Sequence, residues 1–155
     1  MTNPIPPGFR TLTPHITVHD GTAAIDFYKR AFGAKEAVRM PGPDGKTVMH
    51  AELEIGDSRL MLNDPFPQHP VKPPKEAKTT TFVLHVYTPD VDSFIERAAR
   101  AGATVTMPAT DMFWGDRYGM VSDPFGHVWG VATRKENLTP EEMGARAARA
   151  FGEGK

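Results

Sequence analysis

His15 and His85 are the residues of this chain best placed to do chemistry, because each stands on the mixed face of an alternating stretch. Along Thr11 to Val18, Leu12, Pro14, Ile16 and Val18 share one face, and Thr13, His15 and Thr17 share the other. Along Phe82 to Tyr87, Phe82, Leu84 and Val86 alternate with Val83, His85 and Tyr87. Open water does not suit Val83 and Tyr87, and a dry core does not suit two imidazoles without partners, so the mixture points to a half-polar cavity. Imidazole titrates near neutrality, so the pair reads either as substrate contacts and proton carriers or as two hydrogen-bonded structural histidines. His50 and Glu52 share one strand face and fit an acid–base pair or a solvated outer face equally. Arg59, Met61 and Asn63 fall on the cavity side of the next strand, and Val128 and Gly130 on that of the last. Met61 offers a flexible, apolar contact suited to a small-molecule pocket. Trp114 and Arg117 fit stacking and bidentate pairing with an aromatic or anionic ligand; an ion pair between Arg117 and Asp116 at the surface is the plainer alternative. His19, His69 and His127 sit at turns or in a linker and receive no role.

The elements that must position these residues repeat. In the first half, the strand over Thr11 to Val18 is followed by Asp20 and Thr22 as helix caps, then by Ala24, Phe27, Tyr28, Ala31 and Phe32 at helical spacing, with Gly33 as the stop. Strands follow over Glu36 to Met40, Val48 to Ile55 and Arg59 to Asn63, the last two joined across Gly56-Asp57. In the second half, Asp90 caps a helix with Val91, Phe94, Ile95, Ala98 and Ala101 on its apolar face, ended by Gly102. Strands over Ala103 to Met107, Trp114 to Val121 and His127 to Thr133 come after it, the last two joined by the turn Ser122-Asp123-Pro124-Phe125-Gly126. Trp129 reads as core. A repeat of strand, helix and three strands is a whole-fold signal. Between the halves, Asp64 to Thr79 is too rich in proline for regular structure and reads as a linker or flap. The expected organisation is an arm over 1–10, one domain over 11–135 (module one 11–64, linker 65–79, module two 80–135) and a tail over 136–155. The tail's helix opens on the capping box Thr139-Pro140-Glu141-Glu142, with Met143, Ala147, Ala150 and Phe151 as its apolar stripe.

The formal net charge is -1, which argues against nucleic acid as a partner. No apolar run is long enough to span a bilayer, and the stretch Met1 to Phe9 lacks a basic-then-apolar leader, so the expectation is a cytoplasmic protein that does not engage membranes. With no cysteine, disulfides, thiolate metal sites and cysteine nucleophiles are excluded.

Phe27-Tyr28 with Phe32-Gly33-Ala34, Asp90-Val91-Asp92 with Ala101-Gly102-Ala103, and Asp123-Pro124-Phe125-Gly126 fall in an order that resembles the vicinal oxygen chelate superfamily, which contains glyoxalase I, extradiol dioxygenases and bleomycin- and fosfomycin-resistance proteins. The runs His50-Ala51-Glu52-Leu53 and Phe113-Trp114-Gly115-Asp116-Arg117-Tyr118-Gly119 are similar to its PhnB-like branch. The resemblance implies an α+β fold of paired βαβββ modules, forming a curved mixed sheet around a cavity and commonly built as a homodimer. Metal enzymes of the superfamily place His or Gln on the first strand and Glu on the last strand of each module. Counted from Asp20 and Asp90, the first-strand positions fall on Thr13 and Val83, or on His15 and His85 if the loop is two residues shorter here. The two Glu positions fall on Met61 and Gly130, and neither a thioether nor a bare glycine ligates a hard divalent ion. The leading expectation is therefore a protein that binds or sequesters an aromatic or anionic small molecule without a cofactor, using His15, His50, Glu52, Met61, His85, Tyr87, Trp114 and Arg117. The alternative is a lyase, isomerase or dioxygenase dependent on a divalent metal (Zn, Fe, Mn or Ni) held by His15, His85 and Glu52.

Overall fold

The computed structural model describes residues 2–152, which form two four-stranded sheets and four helices. The first module consists of β1 (His15–Thr17), α1 (Gly21–Phe32), β2 (Lys35–Pro41), β3 (Val48–Ile55) and β4 (Ser58–Asn63), with its strands ordered β1-β4-β3-β2. A linker containing α2 (Pro74–Ala77) leads to the second module: β5 (Val83–Tyr87), α3 (Val91–Ala101), β6 (Thr104–Asp111), β7 (Asp116–Ser122) and β8 (Val128–Arg134), ordered β5-β8-β7-β6. In each sheet the first strand pairs in parallel with the last and the other pairings are antiparallel, as the α+β repeat requires. The helix α4 (Pro140–Gly152) closes the described chain. No helix among the described residues is long and apolar enough to cross a membrane.

Local chemistry sets the helices. Asp20 accepts from Ala23 N at 2.9 Å and Asp90 from Ser93 N at 3.0 Å, each satisfying one of the helix's free N-terminal amides. Gly33 ends α1 in the left-handed region at φ 67°, where a side chain would be strained. The buried faces of α1 and α3 pack on their own sheets and on each other. Phe32 stacks on Phe94 with centroids 5.2 Å apart, and Trp129 lies 4.5 Å from Phe32 and 5.5 Å from Tyr28. The core therefore runs through the boundary between modules, with Trp129 fully inside it.

Asp123, in the turn before β8, binds the modules by hydrogen bonding. Its Oδ2 accepts from Tyr28 Oη at 2.6 Å and Trp129 Nε1 at 2.9 Å, and its Oδ1 accepts from the amides of Phe125 and His127. Burial, and next the neighbouring carboxylate, push the Tyr28 hydroxyl well above its ordinary pKa, so it stays a donor.

Several expectations need correcting. The first strand is only three residues long: Pro14 has no N–H to give, although its carbonyl still accepts from Met61 N. Leu12 and Phe82, expected on apolar faces, are exposed, because they precede the paired parts of their strands. The sixth strand runs past Met107 to Asp111; the register shifts between Met107 and Thr110 accommodate Pro108 there. The linker, expected to lack regular structure, contains the short helix α2, with Pro73 as N-cap and Pro74 at its start. The capping box of α4 forms in both directions. None of its stripe is fully buried among the described residues, however, and Phe151 only approaches Phe113 at 5.5 Å.

Candidate functional site

Strand register defines what lies on the sheet faces turned away from the helices. In the first sheet, His15 stands opposite Met61, Met61 opposite Glu52, and Glu52 opposite Val38. In the second, His85 stands opposite Gly130, Gly130 opposite Met120, and Met120 opposite Met107. The modules are thus equivalent at His15 with Met61 and His85 with Gly130. Of the two first-strand assignments weighed above, the register supports His15 and His85; Val83 pairs with Val128 instead.

Each histidine heads its own cluster. His15 Nε2 lies 2.8 Å from Asn63 Oδ1, while Asn63 Nδ2 donates to the Asp64 carbonyl. The amide oxygen therefore faces the imidazole, which places the hydrogen on Nε2 and leaves the Nδ1 lone pair unengaged by Asn63. His50 lies edge-on to His15 with centroids 5.8 Å apart, and His50 Nε2 sits 3.3 Å from Glu52 Oε1. The linker returns here: His69 comes within 6.2 Å of His15, with Phe66 packed 4.8 Å from His69. Desolvation lowers the His15 pKa below its ordinary value of 6.5; the Asn63 bond opposes this, and His50 and His69 add to it. At pH 7 His15 is therefore a neutral base.

This shift fixes a sign. A histidine whose folded pKa is depressed takes up its proton first in the unfolded chain, so its share of stability is present above about pH 6.5 and is lost as the pH falls through the folded value. An NMR titration of the His15 ring is expected to give a midpoint below 6.5. A midpoint at or above that value contradicts the desolvated, histidine-crowded environment.

The second cluster is aromatic. His85 stacks on Tyr118 at 5.7 Å and 10°, and Tyr87 lies 4.8 Å from His85. Trp114 meets Tyr118 edge-on at 5.8 Å. Trp114 Nε1 and Tyr87 Oη both donate to Asp116 Oδ2, at 3.2 and 3.4 Å. A Cβ on Gly130 would come 2.9 Å from Tyr118 Oη, 3.0 Å from Tyr118 Cε2 and 3.1 Å from His85 Nδ1. The space that a side chain at position 130 needs is filled by the Tyr118 ring.

The donor set does not fit the superfamily's metal. Met61 presents a thioether between His15 and Glu52, and Tyr118 covers Gly130, so neither expected carboxylate position offers an oxygen. Among the described residues no three His, Asp or Glu side chains are grouped to hold an ion.

Of the residues singled out in the sequence, the structure brings together His15, His50, Glu52 and Met61 on one sheet, and His85 and Tyr87 on the other. Trp114 stands beside them from the turn before β7, a strand that starts at Asp116 and not at Trp114 as expected. Arg117 joins neither group. Its Nε and Nη2 bind Asp92 on α3 at 2.7 and 2.9 Å, and its Nη1 binds Asp111 at 3.2 Å. The ion pair is real, but its partners are not the adjacent Asp116. The sequence left Tyr118 unmarked, put Asn63 on the cavity side without a role and gave His69 none. Alternation from Trp114 through Asp116 would have put Tyr118 on the cavity face; no local signal brings His69 back over β1.

Comparison with known proteins agrees with this architecture. Residues 10–131 match the family model described as Glyoxalase/Bleomycin resistance protein/Dioxygenase superfamily. An uncharacterised protein of Mycobacterium tuberculosis is 44% identical over 137 residues, covering 86% of this chain and 80% of its own length. An uncharacterised protein of Arabidopsis thaliana is 32% identical over 126 residues, covering 76% and 74%. Among solved structures, TioX from Micromonospora sp. ML1 is similar at 26% identity, with 81% of this chain and 98% of that one covered and a TM-score of 0.65.

Proposed function

Because this chain belongs to the glyoxalase, bleomycin resistance protein and dioxygenase superfamily, we propose that it binds an aromatic or anionic small molecule without a metal, as a binding or sequestering protein. The observation that carries this reading is the Tyr118 ring packed over Gly130, where a metal enzyme of the superfamily needs a carboxylate. The two clusters supply contacts of complementary kinds. On the first sheet, His15 and His50 offer polar contacts beside the thioether of Met61. On the second, His85, Tyr87, Tyr118 and Trp114 offer ring faces to an aromatic body. Val38, Met40, Val83 and Tyr87 are exposed in the single chain, which supports a homodimer in which a second copy covers these faces. The runs at 50–53 and 113–119 are the grounds for a PhnB-like placement within the superfamily.

Elemental analysis of tag-free protein, grown with zinc, iron, manganese and nickel supplied, tests the reading. The expected result is far less than one metal per chain. About one metal per chain or per dimer, removed by chelator and lost in a His15→Ala, His85→Ala variant, would overturn it in favour of a metal-dependent lyase, isomerase or dioxygenase.

A further inference from the structure

Between the modules lies a groove of about 660 Å³, within the usual size range of small-molecule sites. Its floor is apolar and comes from both halves of the core: Phe32 from α1, Leu84 from β5, Phe94 from α3 and Trp129 from β8. Its rim is basic. Arg10, Arg59 and Arg97 line it against a single carboxylate, Asp57, in a chain whose overall charge is close to zero.

The three arginines differ in availability. Arg59 is engaged, bound to Glu54 at 2.9 Å and lying over the Phe9 ring. Arg10 and Arg97 have no carboxylate partner among the described residues. Arg97 is also held in position. Its Nε donates to the Ala31 carbonyl at 2.8 Å, and its guanidinium carbon lies 5.5 Å from the Phe94 ring centroid. Its Nη atoms pass over Gly33, where an added Cβ would stand 3.7–3.8 Å away. A guanidinium fixed through Nε and one face keeps its two Nη donors for a planar anion, with little rotamer entropy left to lose.

We infer that this groove is a binding site for an amphipathic organic anion, an aromatic or branched apolar body carrying one carboxylate or sulfonate, with the body between Leu12 and Phe94 and the anionic group on Arg97 and Arg10. The inference rests on the small-molecule reading above and gives it a seat apart from the two histidine-headed sheet faces, although His85 and Tyr87 border both. Its ligand selection comes from charge at the rim, because the apolar floor accepts any body of suitable shape.

Two fluorescent probes test it: anilinonaphthalene sulfonate, and the uncharged N-phenyl-naphthylamine, which has the same rings without the sulfonate. The full chain is expected to bind the sulfonate more tightly. Arg97→Gln and Arg10→Gln should each weaken the sulfonate about tenfold and leave the amine nearly unchanged. Arg10 is exposed and has no carboxylate partner among the described residues, so its variant remains informative if loss of the Ala31 contact unsettles Arg97→Gln. Backbone amide shifts on adding the sulfonate should concentrate in residues 55–60 and 84–88. Equal affinity for both probes, indifference of the sulfonate to both arginine variants, or shifts centred on His15 and Glu52 would each overturn the groove while leaving a metal-free binder standing. Binding of neither probe, as when the arm of a second copy fills the groove, overturns it as well.

Discussion

Asp123→Ala is expected to lower the melting temperature by roughly 10 °C, the equivalent of about 4 kcal/mol in a chain of this size. The carboxylate is buried and accepts four hydrogen bonds, from Tyr28, Trp129 and the amides of Phe125 and His127. Removing it leaves the hydroxyl, the indole N–H and two backbone amides in the core without acceptors, and each such orphan costs about 1–3 kcal/mol before the structure relaxes. Asp123→Asn separates charge from geometry. It keeps one acceptor oxygen but turns an amide donor toward other donors, so a loss between the native and alanine values is expected. Tyr28 comes from the first module and Asp123 from the second, so both variants should weaken the docking of α1 on α3 as well as the local turn. Thermal melts read by circular dichroism decide the matter. An alanine variant within about 2 °C of the native chain would mean that the hub is dispensable.

What the sequence disclosed about this hub is instructive. The turn at Ser122 to Gly126 was legible from its Pro and Gly, and Trp129 from its place on the apolar face, but the partnership of Asp123 with Tyr28 was not. It depends on α1 and α3 meeting, which is a tertiary event with no local trace. The same division holds elsewhere. Asp20, Asp90, Gly33 and Gly102 mark the helix ends because capping is local chemistry. The ladder sets His15 opposite Met61 and His85 opposite Gly130, as the alternation grouped them, because strand period and register are local as well. Long-range placement escaped. Arg117 was paired by adjacency with Asp116, whereas its partners come from α3 and the end of β6. The linker was read as structureless from its prolines, yet it places His69 beside His15, with Phe66 packed on His69. Half of the candidate site, the rows on each sheet, could be read in advance. The rest depends on which loop or helix folds back over them.

The two positions where the superfamily's metal enzymes carry a glutamate are filled here in different ways. At Met61 a side chain of nearly the right length remains, half-buried, facing His15 and Glu52 across the ladder. A glutamate there has nearly the same length as the methionine, and its expected cost is mainly the like charge of Glu52 directly opposite, about 0.2–1 kcal/mol. At Gly130 the obstacle is steric.

Gly130→Glu should therefore cost far more, about 3 kcal/mol and a fall of roughly 6–12 °C in melting temperature. The first carbon of any side chain already collides with Tyr118 Oη at 2.9 Å and is crowded by Tyr118 Cε2 and His85 Nδ1 at 3.0 and 3.1 Å, and a carboxylate beyond it would have to displace stacked rings. The collision is with one named side chain, so the prediction carries its own control. Tyr118→Ala alone is destabilising because it leaves a void beside His85. Combined with Gly130→Glu it should cost less than the sum of the two, with a coupling of about 1 kcal/mol or more, because the glutamate then occupies the space the ring gave up. Added zinc or nickel should raise the melting temperature of Gly130→Glu no more than that of the native chain. If Gly130→Glu is as stable as the native protein, or the double variant shows no coupling, Tyr118 is not what keeps position 130 bare. The metal-free reading would then rest on the thioether of Met61 alone.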